Sequence, residues 1–110
     1  MNVELLDIIK SRRSIRKYLP SEVSREAILR ILEAARYGPS AHNAQPWRFI
    51  VIMERALKGE LAEAMAAQWL EEMERDGVLM ETRESLVRAS IEQFTDAPVL
   101  IVACVTMEDM

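Results

Sequence analysis

Arg12, Arg13, Arg16 and Lys17 place four cationic side chains within six residues, with Ser14 among them. No acidic residue interrupts the stretch from Ser11 to Tyr18, although the chain as a whole carries a net charge of −4. The stretch is therefore a local positive spot on an acidic protein, able to attract a compact anion through its own field. Guanidinium groups are planar, bidentate donors that match phosphate oxygens, and Ser14 adds a hydroxyl. Where the chain turns extended, alternate residues share a face, so Arg12, Ser14 and Arg16 can point the same way. The same cluster can equally be a solvated basic patch at a helix C-terminus, where positive charge is favoured anyway.

A second group of polar side chains lies in the loop Gly38-Pro39-Ser40-Ala41-His42-Asn43-Ala44-Gln45-Pro46-Trp47. Its small residues suit the rim of a flat heteroaromatic. Ser40, Asn43 and Gln45 supply donors and acceptors of the kind that pair with ring carbonyls and ring nitrogens. Taken alone, the loop can also be an ordinary connection, with Pro, Ser and Asn present for turn geometry. His42 is the single histidine, which excludes a histidine-based metal site and leaves it lining a pocket or facing solvent. Cys104 is the single cysteine, so neither an intramolecular disulfide nor a thiolate metal cage can form. It sits in an apolar run and reads as core rather than nucleophile. Met65, Met73 and Met80 read as packing residues, and Trp69 as either core or part of a substrate lid.

The elements that must hold these groups follow from periodicity. Leu5, Leu6, Ile8 and Ile9 predict a short helix reaching about Ser11. The segment from Ser14 to Leu19 is expected to be extended and to stop at Pro20. Ser24 is a predicted N-cap, with Glu26 in the first turn and a buried face of Ile28, Ile31, Leu32 and Ala35. Gly38-Pro39 ends that helix. Trp47 to Met53 reads as a strand. Leu57 to Arg75 reads as the longest helix, with Leu61, Met65 and Trp69 spaced four apart and Gly59 near its start. Asp76-Gly77 is a turn, and Thr82 is expected to cap a further helix whose core face carries Leu86 or Val87, Ile91 and Phe94. Asp96-Ala97-Pro98 breaks it. Val99 to Val105 is a continuous apolar run, which predicts a central strand buried on both faces.

With 110 residues, 50% hydrophobic and 29% charged, the chain has the composition of one globular domain spanning residues 1–110. The negative net charge argues against a nucleic-acid partner. The start of the chain lacks a signal-peptide layout and the longest apolar run is too short to span a bilayer, so no membrane partner is expected. A lone cysteine fits a reducing cytoplasm. Two strands alone make a marginal sheet, so a second subunit or further chain is expected to complete it. The end of the chain, directly after an apolar strand, points to the N-terminal part of a longer domain.

In combination, the two motifs carry more than either does alone. A helix, an R-(R/H)-S-x-(R/K) element, a second helix ending in P-S-(S/A)-x-N-x-Q-P-W and then a strand make up a family pattern. Arg12-Arg13-Ser14-Ile15-Arg16 and Pro39-Ser40-Ala41-His42-Asn43-Ala44-Gln45-Pro46-Trp47 reproduce it over about the first half of the chain. The sequence resembles the nitroreductase family of FMN-dependent oxidoreductases, and Asp96-Ala97-Pro98 before an apolar strand adds to the likeness. The resemblance implies an α+β fold with a central sheet flanked by helices, completed by a dimer partner or by a C-terminal part. It implies that Arg12, Arg13, Ser14 and Arg16 contact the phosphate, ribityl chain and pyrimidine side of FMN. Pro39, Ser40, Ala41 and Asn43 would reach the flavin held mainly by the other subunit of a homodimer, with Gln45 fixing the loop. NAD(P)H would be co-substrate, hydride passing through flavin N5 to a nitroaromatic, quinone or related acceptor, with no side chain acting as catalytic acid or base and no metal. Ala41 stands where many relatives carry a second Ser, and the family's downstream flavin contacts lie beyond these 110 residues. The alternative reading is a non-catalytic, truncated fragment serving as a flavin-binding or dimerisation module.

Overall fold

The computed structural model describes residues 4–107; residues 1–3 and 108–110 and the side chain of Ala41 lie outside that description. Helix α1 (Leu5–Ser11) starts after the extended Glu4, whose carbonyl accepts from the amides of Asp7 and Ile8. None of its residues is buried, and Leu5, Leu6, Ile8 and Ile9 are each more than half exposed. The chain then runs without regular structure and exposed from Arg12 to Glu22, as the sequence predicts for its extended part.

Helix α2 (Arg25–Ala35) is capped as expected: Ser24 Oγ accepts from the Ala27 amide at 3.1 Å. Its predicted buried face is realised only in part. Ile28 is buried and Leu32 half-buried, whereas Ile31 and Ala35 are exposed. Periodicity marks the side of a helix that needs cover, but within this chain only the Ile28 side receives it.

Strand β1 (Trp47–Ile52) pairs antiparallel with β2 (Leu100–Val105), from Trp47 opposite Val105 to Ile52 opposite Leu100. The Thr106 amide adds one more rung to the Pro46 carbonyl at 2.8 Å. Among the described residues the sheet has these two strands alone, so β2 is not the central, doubly buried strand that its apolar run predicts; Ala103 and Val105 are exposed. An uninterrupted apolar run signals that both faces avoid water, and it carries no information on where the covering atoms come from.

Between the strands lie α3 (Arg55–Arg75) and α4 (Met80–Asp96), which pack on each other. The buried positions of α3 are Lys58, Ala62, Ala66 and Met73. This stripe is rotated by one residue from the predicted Leu61-Met65-Trp69 line, on which Met65 and Trp69 are exposed. Alanines at the contact let the two helices approach, and the larger side chains are displaced to the flank. Helix α3 ends in a Schellman motif: Val78 N donates to Met73 O, Gly77 N to Glu74 O, and Gly77 takes a φ of 79°. Helix α4 starts earlier than expected, at Met80, so Thr82 lies inside its first turn and caps nothing. On its core side Val87, Ile91 and Phe94 are half-buried, while Leu86 is exposed.

The radius of gyration is 17.4 Å, against about 13 Å for a compact domain of about 100 residues. No helix among the described residues is long and apolar enough to cross a membrane.

Candidate functional site

The basic cluster leaves the C-terminus of α1 along the extended segment. Arg13 turns back: one terminal nitrogen of its guanidinium donates to the carbonyls of Lys10 at 3.0 Å and Arg12 at 2.8 Å. It thereby serves a helix end that lacks intrahelical donors, the solvated-patch role open to it in the sequence. Arg12, Ser14 and Arg16 behave differently. All three are exposed, and among the described residues their side chains have no hydrogen-bond or ion-pair partner. Their donors are free for a ligand. Tyr18 Oη donates to Ile15 O at 3.2 Å, just beyond them.

The second group is built on an unusual backbone. After α2 the chain turns through Gly38, and Ala41–Asn43 forms a single 3-10 turn. His42, Asn43 and Gln45 all have left-handed φ values, 53°, 54° and 51°. Left-handed backbone costs a non-glycine residue about 1–2 kcal/mol, and of the three only Asn accepts it readily. Ser40 holds the loop together. Its carbonyl accepts from Asn43 N at 3.1 Å and its Oγ accepts from Gln45 N at 3.0 Å. Gln45 Nε2 adds a long contact of 3.4 Å to Asn43 Oδ1. Pro39, His42 and Asn43 are exposed and Ser40 is half-buried, while nothing is said of the Ala41 side chain.

Within one chain, no hydrogen bond or ion pair among the described residues joins Arg12–Arg16 to the loop 39–45. A cavity of 510 Å³ takes in Arg16, Tyr18, Glu92 and Asp96, and one of 680 Å³ takes in Tyr18, Met53, Arg55, Lys58, Asp96 and Pro98. Lys58 in the latter is a residue that sequence reasoning passed over. Its position four residues before Ala62 and eight before Ala66, on one helix stripe, was the available signal. No group of three or more His, Cys, Asp or Glu that could hold a metal is present among the described residues.

The donor set is one-sided. Exposed guanidinium groups and hydroxyls offer hydrogens to phosphate and ring acceptors, which fits a phosphorylated heteroaromatic such as FMN.

Comparison with known proteins gives the same direction. Residues 9–110 match the model of the Nitroreductase family. A putative NADH dehydrogenase/NAD(P)H nitroreductase of Methanothermobacter thermautotrophicus is 48% identical over 61 residues, which is 56% of this chain and 32% of that protein. A BluB-like flavoprotein from Clostridium difficile 630 superposes with a TM-score of 0.68 at 32% identity, over 93% of this chain and 48% of the other. An iodotyrosine deiodinase, solved with FMN and 3-iodo-L-tyrosine, superposes at 0.76 with 24% identity, over 97% of this chain and 59% of that one, and so bears on the fold alone. The chain thus has the α+β nitroreductase fold, over about a third to three-fifths of the length of these relatives.

Proposed function

The chain belongs to the nitroreductase family, and from that premise we propose that it serves in an FMN-dependent NAD(P)H oxidoreductase acting on a nitroaromatic, quinone or related acceptor. The observation that carries the reading is the exposed, partnerless donor set of Arg12, Ser14 and Arg16, followed in the family's order by the Ser40-centred loop.

In this reading Arg12 and Arg16 hold the phosphate by charge-assisted hydrogen bonds, and Ser14 donates alongside them. Arg13 steadies the end of α1 and adds positive field. Pro39, the Ala41 backbone, Ser40 and Asn43 border the ring. When bound, FMN supplies the redox chemistry, taking hydride from the nicotinamide and passing it to the acceptor. The residues of this chain bind, orient and polarise, and none needs to move a proton. The working unit is a homodimer in which the loop of one subunit covers the cofactor of the other. Two observations support this: within one chain no hydrogen bond or ion pair among the described residues joins the loop to the basic cluster, and Leu5, Leu6, Ile8 and Ile9 of α1 lie open. A cytoplasmic location, resting on the lone cysteine, belongs to the same reading.

The small buried core favours a second reading, a flavin-binding or dimerisation module without turnover. One experiment separates them. The purified protein is incubated with FMN, freed of unbound flavin and examined by visible absorption, then mixed anaerobically with NADH or NADPH. Retained flavin absorption that bleaches is the expected result. Retained absorption that does not bleach selects the flavin-binding module, and a colourless protein overturns the enzyme and the flavin-binding module alike.

A further inference from the structure

A lysine ammonium has three protons to donate. Lys58 is buried, and among the described residues its Nζ has one acceptor, the Ala97 carbonyl at 2.5 Å. No carboxylate of the described residues pairs with it. Asp96, the neighbour of Ala97, gives its Oδ1 to Arg55 at 2.9 Å instead. A carbonyl offers only a partial charge, so the ammonium is held away from water with its charge and two of its donors unmatched. Lys58 also borders the cavity of 680 Å³ between the extended segment 18–23, the first turn of α3 and the end of α4. That volume is within the range of small-molecule sites.

The rest of the lining restricts what can meet that ammonium. Arg55 adds further guanidinium donors, while the exposed Glu22 and Asp96 bring negative charge to the same cavity. Two carboxylates repel a dianion more strongly than a monoanion, so a phosphate is disfavoured. Tyr18 and Met53 supply apolar surface. From this we infer that the cavity is a binding site for an organic monocarboxylate. Its carboxylate, with lone pairs for several donors, accepts from Lys58 and Arg55, and its apolar body lies against Tyr18 and Met53. The Ala97 carbonyl keeps the proton it already has. The site does not depend on the flavin reading, because Arg12, Ser14 and Arg16 are not among its lining residues. Tyr18 and Asp96 also border the cavity of Arg16, which makes the two neighbours.

The test titrates the protein, isotope-labelled at its methionine methyl groups, with benzoate, benzamide and inorganic phosphate, and follows the methyl signals by NMR. Met53→Leu identifies the signal that reports on the cavity. Benzoate is expected to shift it saturably and to leave the buried Met73 in place. Benzamide has nearly the same shape without the charge, and is expected to bind at least about tenfold more weakly. Phosphate, at a pH where it is a dianion, is expected to leave Met53 unmoved. Lys58→Gln removes the charge but keeps a donor for the Ala97 carbonyl, and is expected to lose about tenfold in benzoate affinity. Arg16→Ala is expected to keep the parent affinity. No saturable shift with benzoate, equal affinity for benzamide, or a Met53 shift with phosphate each overturns the inference. So does an unchanged affinity in folded Lys58→Gln. Loss of benzoate binding in Arg16→Ala assigns the anion to the basic cluster and overturns it as well. Should Lys58→Gln fail to fold, the comparison of benzoate with benzamide on the parent protein decides. Each of these results stands whether or not the protein retains FMN, so the inference and the functional reading fail separately.

Discussion

Lys58 Nζ donates to the carbonyl oxygen of Ala97 at 2.5 Å, joining the first turns of α3 to the residue that closes α4. Lys58 is 5% exposed and Ala97 3%, and Lys58 is the buried charged side chain among the described residues. The carbonyl lies at the negative end of the α4 dipole, which favours a cation there. Strand β2 begins three residues on, at Leu100.

Removing that donor leaves a buried acceptor unsatisfied. Lys58→Met, which keeps most of the side-chain volume, is expected to lower stability by about 1–3 kcal/mol. A urea midpoint that falls with an unchanged slope is the signature sought. Arg55→Ala is the comparison, because its 2.9 Å pair with Asp96 joins the same two helices with both side chains more than half exposed. That loss is expected to stay below about 1 kcal/mol and to shrink in high salt. Equal losses from the two variants would count against burial as the deciding factor.

Gly77 closes α3 at a φ of 79°, in a conformation that L side chains rarely adopt, although the space around it is open. Gly77→Ala is therefore expected to destabilise through backbone strain alone, by about 1 kcal/mol or more. The thermal midpoint should fall, and Gly77→Asn should recover part of the loss.

Gly59 presents the opposite case. It lies inside α3 with an ordinary helical backbone, and an added Cβ would meet Thr95 Oγ1 at 4.0 Å, a normal contact. Gly59→Ala is expected to stabilise by about 0.5–1 kcal/mol. Thr95 Oγ1 is buried without a hydrogen-bond partner among the described residues, so Gly59→Ser offers it one and tests the same contact from the polar side. A lower midpoint for Gly59→Ala would count against this contact as one that accepts a methyl group.

The arginines of the basic cluster should separate in a binding titration, on the proposed FMN reading. Arg16 has no hydrogen-bond or ion-pair partner among the described residues, whereas Arg13 is committed to the carbonyls at the end of α1. Arg16→Ala is expected to weaken FMN binding by about tenfold or more, as the loss of a charge-assisted hydrogen bond does. Arg13→Ala is expected to cost less affinity and more stability. Flavin fluorescence quenching at fixed ionic strength measures the first, and thermal melting the second. The reverse order would exchange their roles.

Much of the local structure was legible because it is set by neighbours in the chain. Ser24 caps α2 through its own hydroxyl, Gly77 supplies a φ that few other residues accept, and Asp96-Ala97-Pro98 stops α4. The order of the Arg12–Arg16 element and the Pro39–Trp47 loop carried the family for a similar reason, since the residue types at fixed spacing are themselves the signal. Three readings failed at the next level. The Leu61-Met65-Trp69 line yielded to Lys58, Ala62, Ala66 and Met73, with the small Ala62 and Ala66 at the middle of the buried stripe. The apolar run of β2 did not make a central strand, and Thr82 was bypassed because α4 begins at Met80 without a side-chain cap.

The sequence by itself thus determined which elements form, where most of them stop, and which family the chain joins. Tertiary structure decided which face of α3 is buried, that Lys58 is held against Ala97, that Arg13 is spent on its own helix while Arg12 and Arg16 are not, and that Ser40 accepts from Gln45. The physical reason is range. Caps, turns and motif composition are interactions between residues a few positions apart, while the sense of a hydrogen bond or the choice of a buried stripe depends on atoms that only folding brings together.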